Sequence, residues 1–378
     1  MSHEMLARPD HDESVRMQYI VALKRTLLNV TDGNRHALAG RAGDAFEAET
    51  GRRPESWQDM TRALEPDPYY QTWSALSRTA QDLLWASAER SVKRDWSRLR
   101  DAANRLDNGP MGGSLDIPPD FEPPQDAFAA HIHGQPGGFL YVDEDAGFYS
   151  GAIYDAGGRV FASSYSRASD DTAVGPVAKR LKERYPDFAP RAVLDMGCSA
   201  GGSTMGLAAH FPGIEELHGI DYGQGLVHYA HLRAEASGIR AHFHQMDAGA
   251  LRFDDESFDL VFAALLLHEA SPAKNLDILK EALRVVRPGG LVLFEDVPIK
   301  AARGHSAYDR FVSSWQTSNN DEPFWDLFLD TDFPAMMVEA GFDPAHVFED
   351  EAPIVGGNRA WYMLIGEKPG PDGVTGRV

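Results

Sequence analysis

The chain has 378 residues, 43% of them hydrophobic and 10% aromatic, enough for one large or two ordinary domains with a sizeable core. Its 57 acidic and 36 basic residues give a formal net charge of −21, a field that repels nucleic-acid phosphates and anionic lipid surfaces. The single cysteine, Cys198, excludes an internal disulfide framework. The N-terminus is polar and no apolar run reaches the roughly 18 to 20 residues of a spanning helix, so a cytoplasmic chain with no membrane and no nucleic-acid partner is expected.

The pattern predicts an amphipathic helix over Glu13–Val30 and a longer one after "EPDPYY". In the second, Trp73, Leu76, Ala80, Leu83, Trp96, Leu99, Ala103 and Leu106 recur mostly at three- and four-residue steps. Such a stripe forms core or a subunit contact. Residues 1–106 are therefore expected as a helical N-terminal domain, serving as a lid or as the contact of a homodimer. The stretch "DNGPMGGSLDIPPDFEPPQD" breaks helix and strand alike, and residues 107–138 read as a linker.

From Phe139 the sequence "GFLYVDEDAGFYSGAIYDAGGRVFASSY" predicts short strands joined by Gly and Asp turns, followed by a helix over Thr172–Tyr185. After it, VLDM, LHGID, AHFHQMD, FDLVFAA and LVLFEDV alternate with helical stretches. This is the rhythm of a doubly wound, mostly parallel α/β sheet with helices on both faces. "FDPAHVFEDEAPIVGGNRAWYMLIGEK" predicts an antiparallel hairpin that ends the sheet. Residues 139–368 form the expected α/β domain, with an insertion over 298–330, and residues 369–378 a disordered tail.

In such sheets ligands bind beyond the carboxyl ends of the strands. The first strand ends at Asp195, and "GCSAGG" makes a tight turn into a helix. A lone glycine-rich turn does not distinguish a dinucleotide from other adenosine-containing ligands. Asp221, at the end of the second strand, is placed to accept from ribose hydroxyls or to cap the next helix, and Tyr222 to lie against an adenine. Asp247 ends a third strand, where it can accept from an exocyclic amine.

Taken in order, "VLDMGCSAGGST", "GID", "MDAGALRFDDESFDLVFAALLLHE" and "ALRVVRPGGLVLFEDV", with the reversed terminal hairpin, resemble the class I S-adenosylmethionine-dependent methyltransferases. The resemblance spans roughly Val193 to Lys368 and is strongest to small-molecule enzymes of the ubiquinone-biosynthesis type. It implies a Rossmann-like methyltransferase fold, with S-adenosyl-L-methionine as cofactor and S-adenosyl-L-homocysteine as product. It matches Asp195, Gly197 and Gly201 to the loop around the methionine part, with Ser199 where the family often has glycine. Asp221 then matches the ribose acid, Asp247 with Ala248 the adenine contact, and Leu265 to Glu269 the segment beside the methyl donor.

Transfer of an activated methyl group needs a positioned nucleophile and, for a protonated one, a base. His268 and Glu269 are the catalytic candidates, His268 as a base near its unperturbed pKa or as a hydrogen-bonded core histidine; Glu295 and Asp296 are weaker ones. No metal is expected, because "AALLLHEA" offers no Asp-rich oxygen set and two histidines in "HIH", His131 and His133, are a thin basis for zinc. Tyr308, Phe311 and Trp315 share a helical face in the insertion, with Trp325 and Phe328 following. Together with Tyr149, Tyr154 and Tyr165 they either wall an acceptor pocket or pack on the sheet. The expected activity is methyl transfer to a small organic acceptor. The alternatives are a nicotinamide-dependent oxidoreductase and a non-catalytic S-adenosylmethionine-binding protein.

Overall fold

Asp10 opens the first helix, α1 (His11–Thr50), through a capping box with Glu13, and Gly51 closes it in the left-handed region. The helix expected over Glu13–Val30 thus runs twenty residues further. Ser56 caps α2 (Trp57–Leu64), and Asp67 followed by Pro68 starts α3 (Pro68–Asp107). The computed structural model describes residues 3–128, 132–143, 145–165, 174–304, 306–354 and 360–370. The Gly-Gly-Asn turn of the terminal hairpin, the final residues of the tail and the Tyr165 side chain lie outside the described part.

The expected linker contributes a strand. In β1 (Ser114–Asp116), Leu115 is in register with Phe243 of β4 (His242–Gln245), so residues 107–138 add a parallel edge to the sheet. The other strands are β2 (Ala192–Met196), β3 (Glu216–Asp221), β5 (Phe258–Ala264), β6 (Val286–Asp296), β7 (Val347–Pro353) and β8 (Ala360–Glu367). Among the described residues the eight strands lie in the order β1-β4-β3-β2-β5-β6-β8-β7, parallel except for β8 and its two antiparallel pairings. The strand order reverses between β2 and β5, so the crevice at their carboxyl ends is the topological switch point. The terminal hairpin is present as expected, with β8 inserted beside β6.

Tyr149–Tyr165, where short strands were expected, forms a helix, α4. Its glycines had the look of turn residues, but Gly151 marks a helix crossing: a Cβ there would lie 2.3 Å from the Cβ of Tyr229 in α7 (Gln224–Ala236). Ala152, Ile153, Ala156 and Val160 of α4 share a core with Leu84, Trp85 and Ala88 of α3 and Tyr229 of α7. The N-terminal helices therefore pack directly on one flank of the sheet's helical cover.

Two further cores sandwich the sheet. On one face Leu194, Ile220, Val261 and Phe294 pack with α8 (Pro272–Val285), α11 (Trp325–Asp330) and α12 (Phe333–Ala340). On the other, Val193, Phe243, Leu260 and Leu293 pack with α5 (Val174–Arg184), α6 (Gly202–His210) and α7. The insertion holds α9 (Ile299–Arg303) and α10 (Ala307–Asn319); Tyr308 and Phe311 of α10 join Leu38, Ala42, Met60 and Leu64 of α1 and α2 in a separate cluster. Among the described residues no helix is long and apolar enough to cross a membrane.

Candidate active site

Strand β2 delivers Asp195 fully buried to the switch point, and the chain leaves it through a turn of left-handed residues: Gly197 (φ 72°), Ser199 (φ 48°) and Gly201 (φ 77°). Glycine suits position 197, because a Cβ there would be strained at this left-handed φ and would press on Leu266 Cδ1 at 2.9 Å. One oxygen of Asp195 accepts from the hydroxyls of Ser203 at 2.7 Å and Thr204 at 2.6 Å. Its other oxygen, Oδ1, is buried without a partner. Burial outweighs the two hydroxyl bonds and raises the Asp195 carboxyl to about 7. A buried, half-satisfied carboxylate beside a backbone cradle fits a cationic, hydrogen-bonding ligand group such as the amino-acid end of S-adenosylmethionine.

Asp221 ties the next strand to that cradle. Its two oxygens accept from the Ser199 N–H at 3.0 Å and the Gly223 N–H at 2.8 Å. It does not cap α7, whose N-cap is Gly223 without a side-chain bond. Burial raises Asp221 to about 6 against these backbone bonds. Tyr222 follows, its phenol pushed well above its ordinary value by burial, with Asp221 and Glu269 among its charged neighbours. Asp247 is more engaged than its expected adenine contact requires: Lys274 donates to one oxygen at 2.9 Å and the Gly249 N–H to the other at 2.8 Å. Ala248 packs at the margin of the adjoining core. Cys198 is buried, and burial keeps it a thiol.

Leu265 (φ 59°) turns the chain at the end of β5, its N–H donating to the Glu295 carbonyl at 2.8 Å. The following residues do not leave His268 as an ordinary imidazole. It is 4% exposed, and its Nδ1 lies 2.6 Å from Asp296 Oδ1 at the end of β6. Burial pulls its pKa down, but Asp296 and Glu269 push it well above the usual histidine value. The 2.6 Å contact with Asp296 is that of the second expected reading, a hydrogen-bonded core histidine. Asp296 also accepts from the backbone N–H of Leu267, which fixes the pair in place. Glu295 is 1% exposed with both carboxyl oxygens unpartnered, and burial raises it well above the carboxylate range.

His133 completes the cluster, and sequence reasoning had set it aside. Its Nε2 lies 3.2 Å from Glu269 Oε1, and its Nδ1 3.0 Å from Glu322 Oε1 and 3.1 Å from Asn320 Nδ2. His268 Nε2 lies 3.4 Å from the same Glu269 oxygen. Burial lowers the His133 pKa, and Glu322 and Glu269 reverse this and take it to about 10. Burial would raise Glu269, but His268 and His133 hold it down at about 2. The only cue in the sequence was the "HIH" pair, whose other member, His131, lies outside the described residues. Nothing local joined it to "LLLHEA".

The aromatic candidates divide. The Tyr154 phenol, raised to about 12 by burial, has Ser199, Glu269 and Asp221 as its polar neighbours and so adjoins both the cradle and the histidine cluster. Tyr149, five residues along the same helix, points elsewhere: with Trp96, Lys93, Tyr141 and Asp143 it lines a separate cavity of about 680 Å³. Tyr308 and Phe311 are buried against α1 and α2, and Trp315 donates to Ser74 Oγ at 2.7 Å with its ring 5.8 Å from Trp73. These three pack between helices and do not face the strand ends. Trp325 and Phe328 do reach the site, their rings 5.8 and 5.9 Å from His268.

Residues 193–290 match the family model described as a methyltransferase domain. The chain is similar to a demethylmenaquinone methyltransferase of Thermus thermophilus, 32% identical over 120 residues, covering 32% of this chain and 53% of that protein. It is also similar to a malonyl-[acyl-carrier protein] O-methyltransferase of Halorhodospira halophila, 33% identical over 172 residues, covering 44% and 55%. A solved S-adenosylmethionine-dependent methyltransferase from Aquifex aeolicus aligns over 53% of this chain and 93% of its own at a TM-score of 0.37 and 18% identity. The chain thus spans about half the length of the curated relatives it matches. The matched segment carries Asp195, the left-handed Gly197–Gly201 turn, Asp221, Asp247 and the His268–Glu269 turn: it is a class I S-adenosylmethionine-dependent methyltransferase domain.

Proposed function

We propose that the whole chain transfers the methyl group of S-adenosylmethionine to a small organic acceptor, releasing S-adenosylhomocysteine. The observation that carries this reading is the unpartnered Asp195 oxygen beside the left-handed Gly197–Gly201 turn, clasped to Asp221 at the switch point. Asp195 and the turn would hold the amino-acid end, Asp221 the ribose, and Asp247 with Ala248 the adenine side. The cofactor supplies a methyl group already activated on a sulfonium, so positioning provides much of the acceleration.

The acceptor side falls to the cluster around Glu269. Buried His268 and Asp296 fix it from behind, Tyr154 and Tyr222 adjoin it, and Trp325 and Phe328 supply an apolar wall. A small acceptor suits this enclosed, aromatic surrounding, and the acidic field of the chain disfavours nucleic acid. The experiment is a turnover assay with methyl-labelled S-adenosylmethionine against phenol, amine and thiol acceptors, followed by Glu269→Gln. The variant should lose roughly 10²-fold or more in kcat while keeping its cofactor affinity. A variant with unchanged kcat would remove Glu269 from the reaction.

A further inference from the structure

The two histidines of the cluster are built alike. Each presents its Nδ1 to a buried carboxylate, His268 to Asp296 at 2.6 Å and His133 to Glu322 at 3.0 Å, and each thereby turns its Nε2 toward Glu269 Oε1. Asp296 is fully buried and Glu322 is 2% exposed, so both imidazole orientations are locked by groups with no access to solvent. His133 is held further by its own backbone carbonyl, which accepts from Gln81 Nε2 at 2.9 Å and Trp85 Nε1 at 2.6 Å. An imidazole whose far nitrogen is fixed by a carboxylate is the arrangement that orients histidine ligands on metal ions.

The separations are also those of ligand atoms around a shared ion. At 3.2 and 3.4 Å the Glu269 contacts lie at or beyond the usual limit of N–H···O hydrogen bonds. Ligand atoms each about 2.0–2.1 Å from one ion at tetrahedral angles lie roughly 3.3–3.4 Å apart. The three ligand atoms fall within 4.8 Å of one another, and Glu269 Oε2 is buried without a partner. Two imidazoles and one carboxylate on a single side leave further coordination positions open, and this donor set selects zinc or iron(II) over magnesium or calcium.

We propose that His133, His268 and Glu269 bind one divalent first-row transition ion, with Asp296 and Glu322 orienting the imidazoles. An acceptor with an oxygen or nitrogen lone pair would take an open position on it; that placement rests on the methyltransferase reading, whereas the binding of the ion does not. The site joins the methyltransferase domain to the segment anchored on α3. It therefore also gives the N-terminal helices a part in the chemistry.

The test uses the full chain stripped with a chelator, dialysed and titrated with Zn²⁺ against a competing indicator, with Co²⁺ absorption reporting the coordination geometry. One ion should bind per chain. His133→Ala and Glu269→Gln should weaken it at least 100-fold, and Asp296→Asn and Glu322→Gln by about 10- to 100-fold. His346→Ala, at the far hairpin, should bind as the parent does. Each protein is titrated in parallel with S-adenosylmethionine, which also reports folding. Absence of Zn²⁺ binding in a chain that binds S-adenosylmethionine would overturn the ion site alone, and so would parental affinity in His133→Ala. Zn²⁺ binding that the ligand variants lose, without any binding of S-adenosylmethionine, would support the ion site and overturn the methyltransferase reading.

Discussion

His133 reaches Glu269 at 3.2 Å, and this contact fastens the segment behind α3 to the turn that ends β5. Gln81 and Trp85 of α3 hold the His133 carbonyl, so the helical N-terminal part is linked through His133 to the cluster around Glu269.

The anchoring of His133 can be loosened without touching the site. Trp85→Phe keeps the buried ring but loses the bond to the His133 carbonyl, which retains Gln81. Stability should fall by about 1 kcal/mol in urea unfolding, in line with one hydrogen bond. Turnover should fall several-fold, with cofactor affinity unchanged by calorimetry. Unchanged turnover would mean that the contact is structural only.

Cofactor affinity should depend on pH through Asp195. With the carboxyl raised to about 7, it is neutral below that value and offers a ligand ammonium no opposite charge; above it the charged carboxylate is available. Affinity for S-adenosylmethionine should therefore rise with pH, by roughly tenfold between pH 6 and pH 8. In Asp195→Asn it should be weaker and flat over the same range. A parental profile in the variant would assign the dependence to another group.

Gly197→Ala tests the cradle. The added Cβ meets Leu266 Cδ1 at 2.9 Å, which the Leu266 side chain can yield, but the left-handed backbone stays strained. Backbone strain of this kind costs about 1–3 kcal/mol. Cofactor affinity should drop at least tenfold while far-ultraviolet circular dichroism stays as in the parent. Parental affinity would show that the turn does not touch the cofactor.

Trp315→Ala separates packing from acceptor binding. The ring packs on Trp73 and donates to Ser74, between α10 and α3. Its loss should lower stability by about 2–4 kcal/mol with the acceptor KM unchanged. A raised KM at parental stability would restore the pocket role expected for this residue.

Much of the methyltransferase domain was legible because its signals are local. The run VLDM ends in Asp195, the Gly-rich turn follows at once, and the GID and hairpin segments carry their own strand patterns. Three features were not. Ser114–Asp116 is too short, and too closely flanked by Gly and Pro, to read as a strand without its partner Phe243. Gly151 resembles a turn residue until Tyr229 is seen across the helix crossing. The meeting of His133 with His268 and Glu269 depends on tertiary packing that no spacing rule encodes.

The most direct measurement is calorimetric titration of the chain and of Asp221→Ala with S-adenosylmethionine, S-adenosylhomocysteine and NAD. The account predicts that the chain binds the first two and not NAD, and that the variant loses at least tenfold in affinity for both. Binding of NAD alone, or undiminished binding of S-adenosylmethionine by the variant, would contradict it.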